Sequence, residues 1–162
     1  MKNYDLNSNY DIGLIGFGPS VVLFLDELFR VLEKRKVNRL SLVVINKTED
    51  FGSGIHETTT LRHARLNRVA GQIALSSRPD YEYLADPSRL SLNEQYSYSF
   101  LDWAKKKYEL TKNEEYNLDQ SCWPPRYMLG EALKQQAESI LSTINNSPEL
   151  MSVDLMYGFA RN

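Results

Sequence analysis

The sequence lacks several features that would assign it to a class of proteins at once. It has one cysteine, Cys122, and therefore no internal disulfide, which is typical of proteins in a reducing cytoplasm. Its longest apolar run, residues 21–25, is far too short to cross a bilayer. Residues 1–11 are polar and of mixed charge, unlike a signal peptide. These absences predict a cytoplasmic protein with no membrane partner.

An excess of positive charge is also lacking. The chain has 19 Lys and Arg residues against 21 Asp and Glu residues, which gives a formal net charge of −2. Proteins that bind nucleic acid usually carry a basic excess or a basic face. We therefore expect no nucleic-acid partner.

Residues that could hold a metal or attack a substrate are scarce. The two histidines, His56 and His63, are not accompanied by a ligand cluster at metal spacing, although Glu57 follows the first. We assign no metal site and interpret both as loop residues that are exposed or close to a ligand. No histidine lies near Cys122 in the sequence, which favours a packed thiol over a nucleophile. Catalytic residues stay unassigned.

What is present is the pattern of one α/β domain. Residues 11–15 are apolar and predict a short buried strand, and residues 20–34 carry apolar side chains at helical spacing. Residues 40–45 are rich in β-branched side chains, which is typical of a strand. A strand, a glycine turn, a helix and a second strand make a βαβ unit. The sequence thus predicts a parallel sheet with a right-handed crossover.

The remaining residues are less regular. Residues 46–96 are rich in Gly, Ser, Thr, Arg and Tyr, and so long an irregular stretch is either functional or disordered. We interpret it as a long loop region that faces a ligand. The pattern predicts a short helix over residues 97–108, a longer helix that begins at Pro125, and a third strand over residues 152–157. Residues 1–9 are expected to be flexible.

The turn Gly16-Phe17-Gly18 lies between the first strand and the first helix, where a phosphate-binding turn is found in dinucleotide-binding folds. The first glycine permits the tight turn, and the second lets the backbone approach a pyrophosphate at the positive end of the helix. Val21 occupies the third glycine position of the pattern, and its bulk should push the helix away from the strand. This context favours a dinucleotide site. A glycine turn that binds nothing is the alternative.

The second strand of a dinucleotide site usually ends at an acidic residue that holds the ribose hydroxyls. Here that position is Asn46, which can hydrogen-bond a hydroxyl without the help of a charge. Lys47 follows and could favour the 2′-phosphate of NADP, although we prefer to interpret it as a solvated loop lysine. NADP is therefore the alternative dinucleotide.

Further motifs follow the second strand in a characteristic order. They are Phe-Gly-Ser-Gly at 51–54, Arg-Leu-Asn at 65–67, Ser-Phe-Leu-Asp-Trp at 99–103 and Trp-Pro-Pro-Arg-Tyr-Met-Leu-Gly-Glu at 123–131. With the glycine turn, they resemble the landmarks of FAD/NAD(P)-binding proteins related to flavin-dependent N-hydroxylases. The resemblance extends from about residue 10 to about residue 133.

This resemblance implies a Rossmann-like parallel sheet that binds FAD. It implies that the residues of the glycine turn line the FAD pyrophosphate: Gly16, Phe17, Gly18, Pro19 and Ser20. Asn46 would stand in for the ribose-binding acid, with Lys47 beside it.

The later motifs imply further contacts with the cofactor. Gly52 and Gly54 would let the loop pass close to FAD, and Asn67 would offer its amide to the flavin or the pyrophosphate. Arg126 would make a charged contact or a structural pair near the site. The chain departs from the family pattern at Val21, at Asn46 and in a Tyr-rich insertion, residues 81–98.

The resemblance also implies an incomplete domain. Flavoproteins of this family add further strands and usually a second domain for NAD(P)H, whereas this sequence stops after the third predicted strand. We expect residues 1–162 to be a single partial FAD/NAD(P)-binding domain that is inactive by itself. Three interpretations stay open: a portion or subunit of a flavin-dependent oxidoreductase, a non-catalytic nucleotide-binding or interaction module, and a remnant without a ligand.

A partial domain has a consequence for association. The first strand is central in the usual strand order, so one of its edges would be unpaired and prone to pairing with another chain. We expect a homodimer, or a partner polypeptide that completes the sheet. The alternative is that residues 81–98 fold over this edge.

Overall fold

A computed structural model describes residues 9–35, 39–56, 63–75 and 99–158 of the chain. Within these ranges the fold is a three-stranded parallel sheet with three α-helices. The elements follow in the order β1 (Ile12–Ile15), α1 (Pro19–Arg35), β2 (Leu40–Asn46), α2 (Phe100–Thr111), α3 (Arg126–Asn145) and β3 (Met151–Tyr157). The predicted βαβ unit and the third strand are confirmed.

The strands pair in the order β1-β2-β3, with β2 in the centre. Ile15 of β1 is aligned with Ile45, and Asn46 of β2 is aligned with Tyr157 of β3. Because all pairs are parallel, the carboxyl ends of the three strands meet at one edge of the sheet. Ligands of open α/β folds bind at this edge.

Helices α1 and α3 cover one face of the sheet. Leu25 and Phe29 of α1 and Ile140 of α3 form one buried cluster with Leu42 and Val44 of β2. Since Leu42 and Val44 are two residues apart, they lie on the same face of their strand. Both helices therefore pack against this single face.

Strand β1 is less buried than its apolar sequence predicts. Ile12 and Leu14 are half-buried, but the side chain of Ile15 is 75% exposed. The prediction of a buried strand is wrong here because α1 and α3 cover one face of the sheet, and the described residues leave the other face of β1 open. In the described part of the chain, β1 pairs with β2 alone.

A second apolar cluster joins α2 to the first half of α3. Phe100 and Trp103 of α2 are buried in it with Leu133 of α3. The indole Nε1–H of Trp103 donates to Oε1 of Gln135 at 2.9 Å. This cluster packs the first half of α3 against α2.

The predicted loop region contains only short turns where the structure describes it. Two short 3-10 turns, Gly54–His56 and Ala70–Gln72, interrupt it. Residues 57–62 and 76–96 lie outside the described residues, as do the insertion at 81–98 and residues 1–8 of the N-terminus. No helix in the described part of the chain is long and apolar enough to cross a bilayer.

Candidate dinucleotide-binding site

The glycine turn lies at the carboxyl edge of the sheet. Gly16 has a φ of +85°, and its N–H donates to the carbonyl of Ile45 at 2.8 Å. The carbonyl of Gly18 then accepts from the N–H groups of Val21 and Val22 at 3.0 and 3.2 Å. The turn therefore ends β1 and starts α1 within three residues, which places the positive end of α1 over the strand ends.

Pro19 and Ser20 form the first turn of α1. Proline is favoured at the first position of a helix because its missing N–H would have no partner there. Ser20 is exposed, so its hydroxyl faces solvent beside the turn. The predicted turn residues are thus contiguous at the helix N-terminus.

The buried side chain of Phe17 anchors the glycine turn to the core. Its side chain is 2% exposed and packs against the ring of Phe51, with 5.2 Å between the ring centroids. Its N–H donates to Oδ1 of Asn46, and its carbonyl accepts from the N–H of Gly52 at 2.8 Å. The structure thus directs the side chain of Phe17 into the core and both backbone polar groups toward other loops.

The side chain of Asn46 joins the glycine turn to the loop after β2. Its Oδ1 accepts from the N–H of Phe17 at 3.0 Å. Its Nδ2 donates to the carbonyl of Thr48 at 2.8 Å and to that of Asp50 at 3.3 Å. A carboxylate here could accept from Phe17 but could not donate to either carbonyl, so this local structure requires an amide. Lys47, next in the chain, is exposed.

Gly52 and Gly54 bring the loop against two different elements. A Cβ on Gly52 would lie 2.7 Å from Cβ of Ala137 and 2.8 Å from the carbonyl oxygen of Leu133, so this glycine lets the loop touch α3. A Cβ on Gly54 would lie 3.0 Å from Cδ of Pro19. Gly54 therefore packs on the glycine turn itself.

Polar contacts hold this loop in place between the two glycines. Ser53 is fully buried, and its hydroxyl donates to Oδ2 of Asp50 at 2.9 Å. The ammonium of Lys134, on α3, lies 3.4 Å from Oδ1 of the same aspartate. The loop is thereby tied to α3 as well as to the glycine turn.

Arg126 begins α3 close to the end of this loop. Its N–H donates to the carbonyl of Ala64 at 2.8 Å, and Gly130, one turn along the helix, lies against the carbonyl of His56. Burial, and then the nearby charge of Arg126, lower the pKa of His56. The sequence analysis predicted that Arg126 lies near the site. For His56 it left two alternatives, an exposed position or a position close to the ligand. The structure shows a half-buried side chain.

Asn67 lies on the segment that runs beside the start of α3. The N–H of its neighbour Leu66 donates to the carbonyl of Pro124 at 3.0 Å, and Arg65 pairs with Pro125. The Asn67 side chain itself is exposed. Its predicted contact with a cofactor stays a prediction.

Cys122 lies on the chain before α3 and is half-buried. Burial, followed by the nearby carboxylate of Asp119, raises the pKa of its thiol. The thiolate is the reactive form, so this environment disfavours a nucleophilic role.

Comparison with protein families connects this geometry to a known group. Residues 13–156 match the family described as FAD-NAD(P)-binding, from the second residue of β1 to the penultimate residue of β3. The chain belongs to the FAD-NAD(P)-binding family. A comparison with individual curated proteins found no match. Fold and family together identify a dinucleotide-binding module.

Proposed function

We propose that this chain is the FAD-binding portion or subunit of a flavin-dependent oxidoreductase related to the N-hydroxylases. The observation that carries the proposal is the glycine turn between β1 and α1, with Gly16 in a left-handed conformation and Gly54 packed on the turn. The space above Gly16 is open in the described part of the chain, since no residue other than its chain neighbours lies within 4 Å of the position of its Cβ. A pyrophosphate in that space would meet the positive end of α1.

FAD is favoured over NADP by the motifs that follow the turn. In the relatives that these motifs resemble, the first glycine turn of the chain serves FAD. An exposed lysine such as Lys47 can pair with a 2′-phosphate, but its ion pair would be weak because it is screened by solvent. The same turn would accept the ADP half of either dinucleotide.

The test is a binding measurement on the purified protein with Gly18 substituted. A Cβ on Gly18 would lie 3.7 Å from Cα of Gly54, an ordinary contact, so Gly18→Ala should fold while it fills space above the turn. We expect Gly18→Ala to weaken FAD binding at least tenfold and Gly18→Val to abolish it, measured by flavin fluorescence and calorimetry.

Gly13→Ala is the matched control. Gly13 is exposed on β1, and an added Cβ would lie 3.9 Å from Val43. This variant should bind FAD like the wild type. Equal affinity of the wild type and both Gly18 variants would contradict a site at the turn, and tighter binding of NADPH than of FAD would assign the turn to the nicotinamide dinucleotide.

A non-catalytic dinucleotide-binding module is the second candidate. It is favoured by Val21, which occupies the third glycine position and packs against the core, and by Asn46, whose amide is bound within the protein. Reduction of bound FAD by NADPH in the purified protein would exclude this candidate. Stable FAD binding without any reduction is expected of both candidates, because the partial domain is expected to be inactive by itself.

A further inference from the structure

Two buried side-chain nitrogen atoms near the loop that packs on the glycine turn have no hydrogen-bond partner among the described residues. They are Nδ1 of His56 and Nε of Arg126. Buried polar atoms are nearly always hydrogen-bonded, because burial removes their water, and an unpaired group is most costly when it belongs to a charged side chain. The described part of the chain therefore supplies no partner for two nitrogen atoms on residues that lie close together, which points to an external polar group.

The structure brings these residues together through Gly130. Gly130 and Arg126 are four residues apart on α3 and so share a face of the helix. A Cβ on Gly130 would overlap the carbonyl oxygen of His56, so the backbone of His56 lies directly against this face. The side chain of Arg126 is one helical turn away, toward the N-terminus to which helical side chains lean.

The surroundings of the pair favour an anion. Within the described residues, no carboxylate forms an ion pair with Arg126, whereas the equally cationic Arg30 pairs with Asp26 and Lys134 lies against Asp50. Arg126 is also the first residue of α3, so the positive end of a helix adds to its charge. A planar guanidinium whose Nε–H has no partner among the described residues is suited to phosphate.

The pair is adjacent to the proposed pyrophosphate site. His56 is only two residues beyond Gly54, which packs on Pro19 and Gly18 of the glycine turn. Two residues of chain span at most about 7 Å. A ligand that lies over the turn is therefore within reach of His56, whose carbonyl lies against α3 at Gly130.

We propose that His56 and Arg126 together bind a phosphate group of the dinucleotide, as the second half of a cradle whose first half is the Gly16–Gly18 turn. The inference rests on the proposed function for the identity of the ligand. The phosphate belongs either to the pyrophosphate of FAD or to the 2′-phosphate of NADP. Arg126 donates to its oxygens, and His56 donates from Nδ1.

The experiment compares affinities of the full chain and its variants for FAD, ADP, NADH, NADPH and inorganic pyrophosphate. The test variants are Arg126→Gln and His56→Gln, and Arg126→Lys keeps the charge. Arg39→Gln is the matched control, because Arg39 is exposed and precedes β2, at the opposite edge of the sheet. Thermal melting of each ligand-free variant reports whether it is folded.

We expect Arg126→Gln to weaken binding at least tenfold and Arg126→Lys to recover part of the loss. A purely structural role of the side chain would not distinguish these two variants by their affinity for phosphate. Losses for FAD and ADP would identify the pyrophosphate as the bound group. A loss confined to NADPH, with NADH unchanged, would identify the 2′-phosphate.

Two outcomes separate this inference from the proposed function. If the wild type binds FAD and both test variants bind it equally well, the inference is wrong and the proposed function stands. If the wild type binds no dinucleotide, the proposed function fails, and inorganic pyrophosphate then tests the pair directly. Binding of pyrophosphate that Arg126→Gln removes would support the pair as an anion site, and absence of binding by the wild type would overturn it.

Discussion

Gly16 and Gly52 both have a positive φ, but different physical demands keep them as glycine. Apart from its chain neighbours, no described residue lies within 4 Å of a Cβ on Gly16, so the demand there comes from the backbone conformation. At Gly52 the Cβ would also collide with Ala137 and the backbone of Leu133. Glycine at position 16 is thus required by the conformation of the turn alone, and glycine at position 52 is also required by the close packing against α3.

Alanine substitutions should separate these two demands. We expect Gly16→Ala to lower the free energy of unfolding by about 1 kcal/mol, the cost of a left-handed conformation for a residue with a Cβ. Gly52→Ala should cost about 3 kcal/mol or more, because overpacking adds to the strain. Urea denaturation of the ligand-free proteins measures both, and equal losses would show that the contact with α3 relaxes freely.

Asn46 gives the second prediction at this scale. Asn46→Asp restores the acid that dinucleotide sites usually have, but it replaces the Nδ2 donor by an oxygen that faces the carbonyls of Thr48 and Asp50. We expect a loss of about 1–3 kcal/mol in the free energy of unfolding and no gain in FAD affinity. Denaturation and fluorescence titration check the two parts. Tighter binding of FAD by this variant would show that a contact between the carboxylate and the ribose outweighs the loss of the internal hydrogen bonds.

His56 should make stability depend on pH. Its folded-state pKa is lowered, first by burial and then by Arg126, so the unfolded chain binds this proton more readily. Stability is therefore lost as the pH falls below about 6.5, the ordinary pKa of histidine, toward the folded-state value. Between about pH 7 and pH 5, His56→Gln should lose less stability than the wild type in phosphate-free buffer. Parallel melting curves would contradict this.

At the scale of elements, α3 connects the two halves of the core. Leu133 belongs to the cluster with α2, whereas Ala137 and Ile140 belong to the cluster with α1 and the sheet. The Gly52 loop touches α3 between these two groups, at Leu133 and Ala137. The position of α3 therefore determines where the loop, and with it Gly54, meets the glycine turn.

Helix α2 begins at a well-formed cap. The hydroxyl of Ser99 accepts from the N–H of Asp102 at 3.0 Å and donates to its carboxylate at 2.6 Å. Ser99→Ala should lower the free energy of unfolding by about 1 kcal/mol, as is typical for the loss of an N-cap. Ser99→Asp, which can still accept from this N–H, should lose less. Thermal denaturation distinguishes the two, and equal losses would mean that the hydroxyl has another role.

At the scale of the whole molecule, the outer edge of β1 bears on association. In the described residues this strand has one partner, and Ile15 at its end is 75% exposed. Unpaired strand edges promote pairing with another chain, and a charged residue on the edge discourages it. That a second copy pairs here stays a prediction from the sequence.

Light scattering on dilute protein measures this association. We expect the wild type to have the mass of a dimer and Ile15→Lys to be shifted toward the monomer. Leu110→Lys is a suitable control, because Leu110 is exposed on α2, away from the edge. A monomeric wild type would show that the edge of β1 does not pair in solution.

Local patterns in the sequence were sufficient to predict the elements that adjacent residues form. The helical spacing of residues 20–34 predicted α1, observed at Pro19–Arg35, and the β-branched run at 40–45 predicted β2. The turn at Gly16 was predicted for the same reason: a tight turn between a strand and a helix depends on a few adjacent residues. Such patterns can be recognised without knowing which distant residues pack against the element.

Which distant residues meet depends on how the elements pack, and no local pattern shows it. Gly52 and Ala137 are in contact although they are far apart in the sequence. The exposure of Ile15 depends on which face of the sheet the helices cover. Likewise, His56 and Arg126 are 70 residues apart in the sequence, and each is unremarkable alone. Their proximity arises from the packing of α3 against the loop after β2. The sequence does not predict this packing, because the periodicity of a segment shows which of its faces is buried but not which distant segment covers that face.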